Sequence, residues 1–168
     1  VYPGEVLGVV ALLGSGKTEL GKALVGMERV VAGEVQVDGV RVRIRSPVDA
    51  LRLGILYIPE DRRREGLVPL LTVSDNIVLP KVHKISLLGV YRRLWRERRV
   101  SEGWVRALRV VPPDTGFRVA YLSGGNQQKV VIAKSLEAGA RVLILDEPTF
   151  GIDVGATVSY THLRAHET

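Results

Sequence analysis

The sequence predicts an α/β fold with a parallel core sheet, and three observations carry that prediction. A β-branched apolar run, Glu5 to Ala11, ends in a glycine-containing loop and leads into a helical pattern. Two short alternating runs flank Asp38-Gly39. A later apolar run, Val142 to Leu145, ends in two acids, Asp146 and Glu147. Strand, loop, helix and a later acid-tipped strand, in that order, form the α/β pattern.

The elements follow one by one. Glu5 to Ala11 reads as a buried strand. Lys17 to Met27 places Leu20, Ala23 and Leu24 at helical spacing. Glu34 to Asp38 and Val40 to Ile44 alternate apolar and polar residues about an Asp-Gly turn, which predicts an antiparallel pair. Ser46-Pro47 is a helix start, with serine as cap and proline at the first position, and Gly54 stops that helix. Ile55 to Ile58 is a second apolar strand, and Glu60 to Pro69 is polar enough to be a loop. Thr72 to Leu79 predicts a short helix. Ile85 to Val110 sets Leu87, Leu88, Tyr91, Leu94 and Trp95 on one face and arginines on the other, the pattern of amphipathic helices, and Pro112-Pro113 breaks it. Ser123 to Ala138 is helical. No internal repeat is present.

The chain has 168 residues, enough for one or two domains and for a core without covalent staples. Hydrophobic residues make up 46% and charged residues 25%, which excludes wholesale disorder. Cysteine is absent, so disulfides and thiolate metal sites are excluded. The run Val6 to Leu13 is too short for a membrane span and has no basic leader. The only methionine is Met27, and the chain reads as a fragment. Net charge is +6, yet Lys81 to Arg109 holds nine basic and two acidic residues, so the excess belongs to one segment.

Two constellations carry chemistry. Ala11 to Thr18, Ala-Leu-Leu-Gly-Ser-Gly-Lys-Thr, nearly matches the phosphate loop G-x-x-x-x-G-K-[ST] between a strand and a helix. Gly14, Ser15 and Gly16 would turn backbone N–H groups towards phosphate oxygens, with the helix N-terminus behind them. Lys17 would reach the β- and γ-phosphates and Thr18 would give its hydroxyl to Mg²⁺. Ala11 stands where the pattern has glycine, which is tolerable where φ is negative. At the end of Val142 to Leu145, Asp146 suits Mg²⁺, directly or through water, and Glu147 suits a general base that orients water. Adjacent acids are common on surfaces, and a glycine turn beside a solvated lysine is the plain alternative. The pairing of the two motifs is what gives them weight.

A third stretch, Leu122-Ser123-Gly124-Gly125-Asn126-Gln127-Gln128-Lys129, reads at minimum as a helix start capped by Ser123. Leu-Ser-Gly-Gly before a glutamine-rich helix also resembles the signature of the ABC ATPases, and it lies between the phosphate loop and the acid strand as it does there. Asp146-Glu147-Pro148-Thr149 and Gly151-Ile152-Asp153 resemble that family's acid strand and D-loop. Pro59 to Leu67, Pro-Glu-Asp-Arg-Arg-Arg-Glu-Gly-Leu, together with Ser-Gly-Gly-Asn-Gln-Gln-Lys and Gly-Ile-Asp-Val-Gly, is similar to the second, C-terminal ATPase half of bacterial carbohydrate importers of the ribose, galactose and xylose type. The resemblance spans about Tyr2 to Ala156.

This resemblance implies a P-loop NTPase fold of the ABC type, with an antiparallel β unit and a helical subdomain over about 72–138, in a partial domain of residues 1–157. It implies ATP and Mg²⁺ as ligands and sugar import as the process powered. ATP would lie between two halves arranged head to tail. Lys17 and Thr18 would serve one nucleotide, while Ser123, Gly124, Gly125 and Gln127 would meet the nucleotide of the other half. Glu60 takes the Q-loop position, which touches Mg²⁺ and the transporter subunit, and would stand with Glu147 as a catalytic residue; Asp153 takes the D-loop position across the dimer. Partners would be the other ATPase half, fused upstream in the family, and transmembrane permease subunits, which places the protein on the cytoplasmic face of the plasma membrane. The adenine-stacking aromatic and the switch histidine fall outside this chain, so the isolated stretch is expected to turn over ATP poorly. A nucleotide-binding half with little turnover, acting as a regulatory or structural partner, is the alternative.

The basic stretch Tyr91 to Arg99 reads first as a solvated helix face, then as a surface near anionic headgroups. Nucleic acid ranks last, because the loop already accounts for an anionic ligand, and the coiled-coil insertions of DNA-acting relatives are absent. Ser159 to Thr168 resembles translated sequencing-adapter read-through, so residues 158–168 are expected to be a non-native tail. His162 and His166 therefore receive no role.

Overall fold

The computed structural model describes residues 1–12, 14–81 and 94–148. In chain order the described elements are α1 (Lys17–Leu24), β1 (Val35–Val37), β2 (Val40–Val42), α2 (Pro47–Arg52), β3 (Ile55–Ile58), α3 (Val73–Val78), α4 (Leu94–Ala107), α5 (Gly124–Ala138) and β4 (Val142–Leu145).

β3 and β4 pair in parallel, with Ile55 opposite Val142, Tyr57 opposite Ile144 and Ile58 opposite Leu145. Successive side chains of a strand point to opposite faces. Here each face meets its own core. Ile58 and Leu143 join the larger cluster, built from Leu67, Val73, Ile77, Val105, Val119 and the buried positions of α5. Ile55, Tyr57 and Ile144 join the smaller one, with Val25, Ala50 and Val37. The ribbon is thus the partition between a helical layer and a mixed layer.

Local chemistry explains most boundaries. β1 and β2 form an antiparallel hairpin with Val37 opposite Val40. Its turn residues, Asp38 and Gly39, both have positive φ, which an Asp-Gly turn accommodates. Ser46 caps α2 by accepting from the Asp49 N–H, and Pro47 fills the first position. Thr72 caps α3 in the same way, through the Asp75 N–H. In the helical layer α3 packs on both α4 and α5. Asn76, fully buried on α3, accepts from the Val68 N–H at 2.8 Å and donates to the carbonyls of Val68 and Thr72. One side chain so ties the loop before α3 to the helix itself.

The structure departs from the sequence expectations in four places. Glu5 to Ala11 forms no strand, and its apolar side chains are exposed, Val10 at 96%. A β-branched run becomes a strand only where a neighbour completes its ladder, and among the described residues none does. The helix expected to reach Met27 ends at Leu24, because Val25 leaves helical geometry and enters the smaller core. The loop after Glu60 contains one wide π-helical turn over Arg62–Gly66, started by Asp61, whose carboxylate accepts from the Arg64 N–H.

The fourth departure is in α4. Its inward face is Glu97, Ser101 and Val105, spaced four residues apart, while Leu94 and Trp95 lie on the exposed side, each more than 60% exposed. A polar contact sets the rotation. The Ser101 hydroxyl meets the Ser74 hydroxyl of α3 at 2.8 Å, and Trp104 donates to Glu137 of α5 at 2.8 Å. The part of the expected amphipathic stretch at 85–93 lies outside the described residues.

Replacing Asn76 with alanine should destabilise the helical layer by about 1–3 kcal/mol, because the Val68 N–H loses its acceptor and the carbonyls of Val68 and Thr72 each lose one of their two donors. Urea denaturation of the two proteins side by side measures this. A difference below about 0.5 kcal/mol would show that the Asn76 network contributes little.

Candidate functional site

The parallel register brings two loops to one edge. β3 ends at Ile58, two residues before Glu60, and β4 ends at Leu145, opposite it. The Asp146 N–H donates to the Ile58 carbonyl at 3.0 Å, which extends the ladder by one bond and fixes the Asp146 backbone. Ligands of open α/β sheets sit beyond this carboxyl edge.

The glycine loop meets the same edge. Gly14 and Gly16 have φ of 76° and 92°, backbone that side chains rarely adopt, and Gly16 stands directly before α1. Among the described non-glycine residues only Asp38, Arg109 and Glu147 have positive φ, so the alanine at position 11 is no obstacle. Ser15 is held by its backbone N–H on the Leu12 carbonyl. Lys17 and Thr18 form the start of α1, and Lys17 Nζ reaches Glu147 Oε1 at 2.7 Å. The Glu147 hydrogen bond raises the Lys17 pKa above its ordinary value, with smaller contributions in the same direction from the charges of Asp146 and Glu60. Lys17, Glu60, Asp146 and Glu147 therefore share one electrostatic environment. Glu147 itself stands at φ 42°, a left-handed backbone that costs about 1–3 kcal/mol where the surroundings impose it.

Asp146 is buried, and its Oδ2 accepts from the Tyr57 hydroxyl at 2.6 Å. Burial, and then this hydrogen bond, push the Tyr57 pKa up. The sequence reading overlooked Tyr57. Its signal was a lone phenol in an otherwise aliphatic strand, since a buried tyrosine hydroxyl finds a partner. Gly21 on α1 makes the arrangement possible: a Cβ there would lie 2.9 Å from the Tyr57 ring and 3.4 Å from Ile144. α1 thus rests on β3 and β4 at a position without a side chain.

The donor set suits Mg²⁺ in kind. It consists of oxygen, from the Asp146 carboxylate and the Thr18 hydroxyl, and among the described residues no group of three or more His, Cys, Asp or Glu is placed to enclose a metal. Mg²⁺ commonly binds through one or two carboxylates with water and substrate phosphates, rather than in an all-protein cage.

The signature stretch lies elsewhere. Ser123 immediately precedes α5 and is exposed, and among the described residues no hydrogen bond or ion pair joins it to Lys17. Two expectations are corrected here. Ser123 does not cap the helix with its hydroxyl, which instead accepts from the Asn126 side-chain amide at 3.0 Å. Gln127 does not face outward to another half. It is 2% exposed, donates to the Val119 carbonyl at 3.1 Å and accepts from Arg63 Nε at 3.0 Å, because the inward face of α5 carries it into the larger core. Gly124 and Gly125 lie in the first turn, half-buried. Asp153 and residues 158–168 lie outside the described residues.

A glycine loop opening a helix, facing an acid-ended parallel strand, defines a P-loop nucleotide-binding domain. The chain belongs to the ABC transporter family, whose model matches residues 1–150. It is 46% identical over 154 residues to a xylose import ATP-binding protein of Thermoanaerobacter pseudethanolicus, covering 91% of this chain and 30% of that one. It is 44% identical over 156 residues to an arabinose import ATP-binding protein of Pseudomonas fluorescens, covering 92% and 30%. A ribose import ATP-binding protein of Rubrobacter xylanophilus is 45% identical over 157 residues, with 93% and 31% covered. The chain thus spans about a third of the length of the curated relatives it matches. Among solved structures, a nucleotide-free ATP-binding cassette from an ABC transporter has TM-score 0.72 at 18% identity, covering 92% of this chain and 62% of that one. A second cassette, solved as a dimer after hydrolysis with ADP and Pi, has TM-score 0.69 at 22% identity, covering 90% and 66%. The fold is that of an ABC ATPase. Among the described residues no helix is long and apolar enough to cross a membrane.

Substituting Glu147 with glutamine should return the Lys17 pKa towards 10.5, since the largest cause of its rise is removed. A raised lysine pKa means the pair contributes fully below the ordinary value and is lost as pH climbs through the folded-state value. Titration of the Lys17 side chain by NMR in both proteins tests this. Identical titration would show that the pair does not persist in solution.

Proposed function

We propose that this chain is the nucleotide-binding core of an ATP-hydrolysing half that powers carbohydrate import. Its motifs from Pro59 to Leu67 and from Ser123 to Lys129 favour the second, C-terminal half of a fused pair. The observation that carries the reading is the meeting of Lys17 and Glu147 at 2.7 Å, beside a buried and hydrogen-bonded Asp146. The names of the relatives, which import arabinose, xylose and ribose, support the substrate class.

The chemistry follows from the residue types. The N–H groups of Gly14 to Thr18 bind phosphate oxygens, and Lys17 neutralises the β- and γ-phosphates. Thr18 and Asp146 are the residues that would hold Mg²⁺, which supplies charge neutralisation between those phosphates when bound. An arriving phosphate competes with Glu147 for the Lys17 ammonium. As Lys17 turns to phosphate, the Glu147 carboxylate becomes available to accept a proton from water. That water attacks the γ-phosphorus, the bond to the β-phosphate bridging oxygen breaks, and ADP and phosphate leave. Glu60, at the same edge, is assigned to the Q-loop role of sensing the site from the permease side.

Ser123, Gly124 and Gly125 serve the nucleotide of a partner half, and Asp153 is assigned to the same task by its D-loop motif alone. The layer from 72 to about 138 is the helical subdomain, and transmembrane permease subunits on the cytoplasmic face of the membrane receive its motion. Retention of both Lys17 and Glu147 favours turnover over a purely regulatory half.

Lys17→Ala should weaken ATP binding about tenfold or more, while Glu147→Gln should keep binding and slow turnover at least a hundredfold. Equilibrium binding and phosphate release, measured on the intact fused transporter, separate the two. Equal loss of binding in both variants would contradict the division of roles.

A further inference from the structure

Tyr57 lies outside every phosphate-loop, signature and acid motif, yet among the described residues it makes the side-chain hydrogen bond to Asp146. It sits on the face of β3 opposite Ile144, two residues before Asp146 on β4, so its ring runs along the ribbon and its hydroxyl ends on Oδ2 at 2.6 Å. The ring is wedged under α1 at Gly21. The Asp146 backbone is pinned as well, by its N–H on the Ile58 carbonyl. The carboxylate is therefore fixed in rotation, with Oδ2 taken by a donor.

We propose that Tyr57 is a positioning residue that presents Asp146 to a divalent cation through a single oxygen, and so favours Mg²⁺ over Ca²⁺. The inference rests on Asp146 as a metal ligand. Its physical basis is the difference between the two ions. Mg²⁺ is small, demands near-octahedral geometry and is served by one carboxylate oxygen, whereas Ca²⁺ accepts both oxygens of a carboxylate in looser geometry. A phenol donating to one oxygen blocks the bidentate mode and holds the other at a set angle. Groups that orient a ligating carboxylate in this way carry much of a site's affinity.

The test is Tyr57→Phe in the full chain. Phenylalanine keeps the ring that packs against Gly21 and Ile144 and removes only the hydroxyl, and circular dichroism checks the fold. Binding of a trinitrophenyl ATP analogue is followed in EDTA, then against rising MgCl₂ and, separately, CaCl₂. The expected result is unchanged affinity in EDTA and a half-saturating Mg²⁺ concentration raised about tenfold or more. The Ca²⁺ value should rise less, so that the preference between the ions narrows. Wild-type behaviour with both ions would overturn the proposal, and so would an equal rise for both. A loss of affinity in EDTA of the same size would assign Tyr57 to packing alone and also overturn it. A wild-type chain whose analogue binding ignores both ions would sink the metal assignment of Asp146 itself, a failure recognisable before any variant is made.

Discussion

The register of β3 on β4 is the constraint on which the rest depends. Ile58 opposite Leu145 fixes where both strands stop, and hence that Glu60 and Asp146-Glu147 emerge at one edge. A shift of one residue would reverse every side chain of β4. Leu143 would leave the larger core, Ile144 the smaller, and Asp146 would turn away from Tyr57. Burial on both faces therefore specifies the active edge: the same apolar alternation that fills two cores also aims the carboxylates. Stability and site geometry are one requirement here.

The attachment of α1 is of a different kind. It rests on Gly21 against Tyr57 and Ile144, and its first residue is tied to Glu147 by a partly exposed ion pair. Exposed pairs contribute little to stability, so this one matters for placement. A weakly held lysine can exchange its carboxylate for a phosphate at small cost. Tyr57, by contrast, holds Asp146, itself buried, with a part-buried hydrogen bond. The cluster thus combines a fixed acid, Asp146, with an exchangeable one, Glu147, and the two adjacent residues differ because one faces the core side of the ribbon and the other continues past its end.

Much of this was legible in the sequence, for local reasons. The Asp-Gly turn, the Ser46-Pro47 start and the short runs Ile55–Ile58 and Val142–Leu145 all carry their cause within a few residues, and all appear as read. The convergence of Lys17 with Asp146 and Glu147 was legible because phosphate chemistry needs those residue types together. Features set by distant partners were not legible. Glu5 to Ala11 has strand composition, but a strand is a property of two chains of backbone. The α4 pattern offered leucine and tryptophan as the inward face, whereas Ser101 and Trp104 found hydrogen-bond partners on other helices and set a different rotation. Gln127 looked like part of an outward signature, and Arg63 and Val119 claimed it for the interior.

That division within the signature has a consequence for how it could work. Gln127 anchors the first turn of α5 from below, bonded to the Arg62–Gly66 turn through Arg63 and to the segment before Leu122 through Val119. Asn126 anchors it from the side, accepting from the Val111 N–H while donating to Ser123 Oγ. The Ser123 hydroxyl is engaged only as an acceptor in these contacts, so its own proton is available to donate. With the helix N-terminus behind it and two glycines beside it, the serine presents donors suited to an anion. Among the described residues no hydrogen bond or ion pair joins this serine to Lys17, so the reading proposed above gives the two surfaces to two different nucleotides. The proposed head-to-tail pairing of two halves would use both surfaces as they stand.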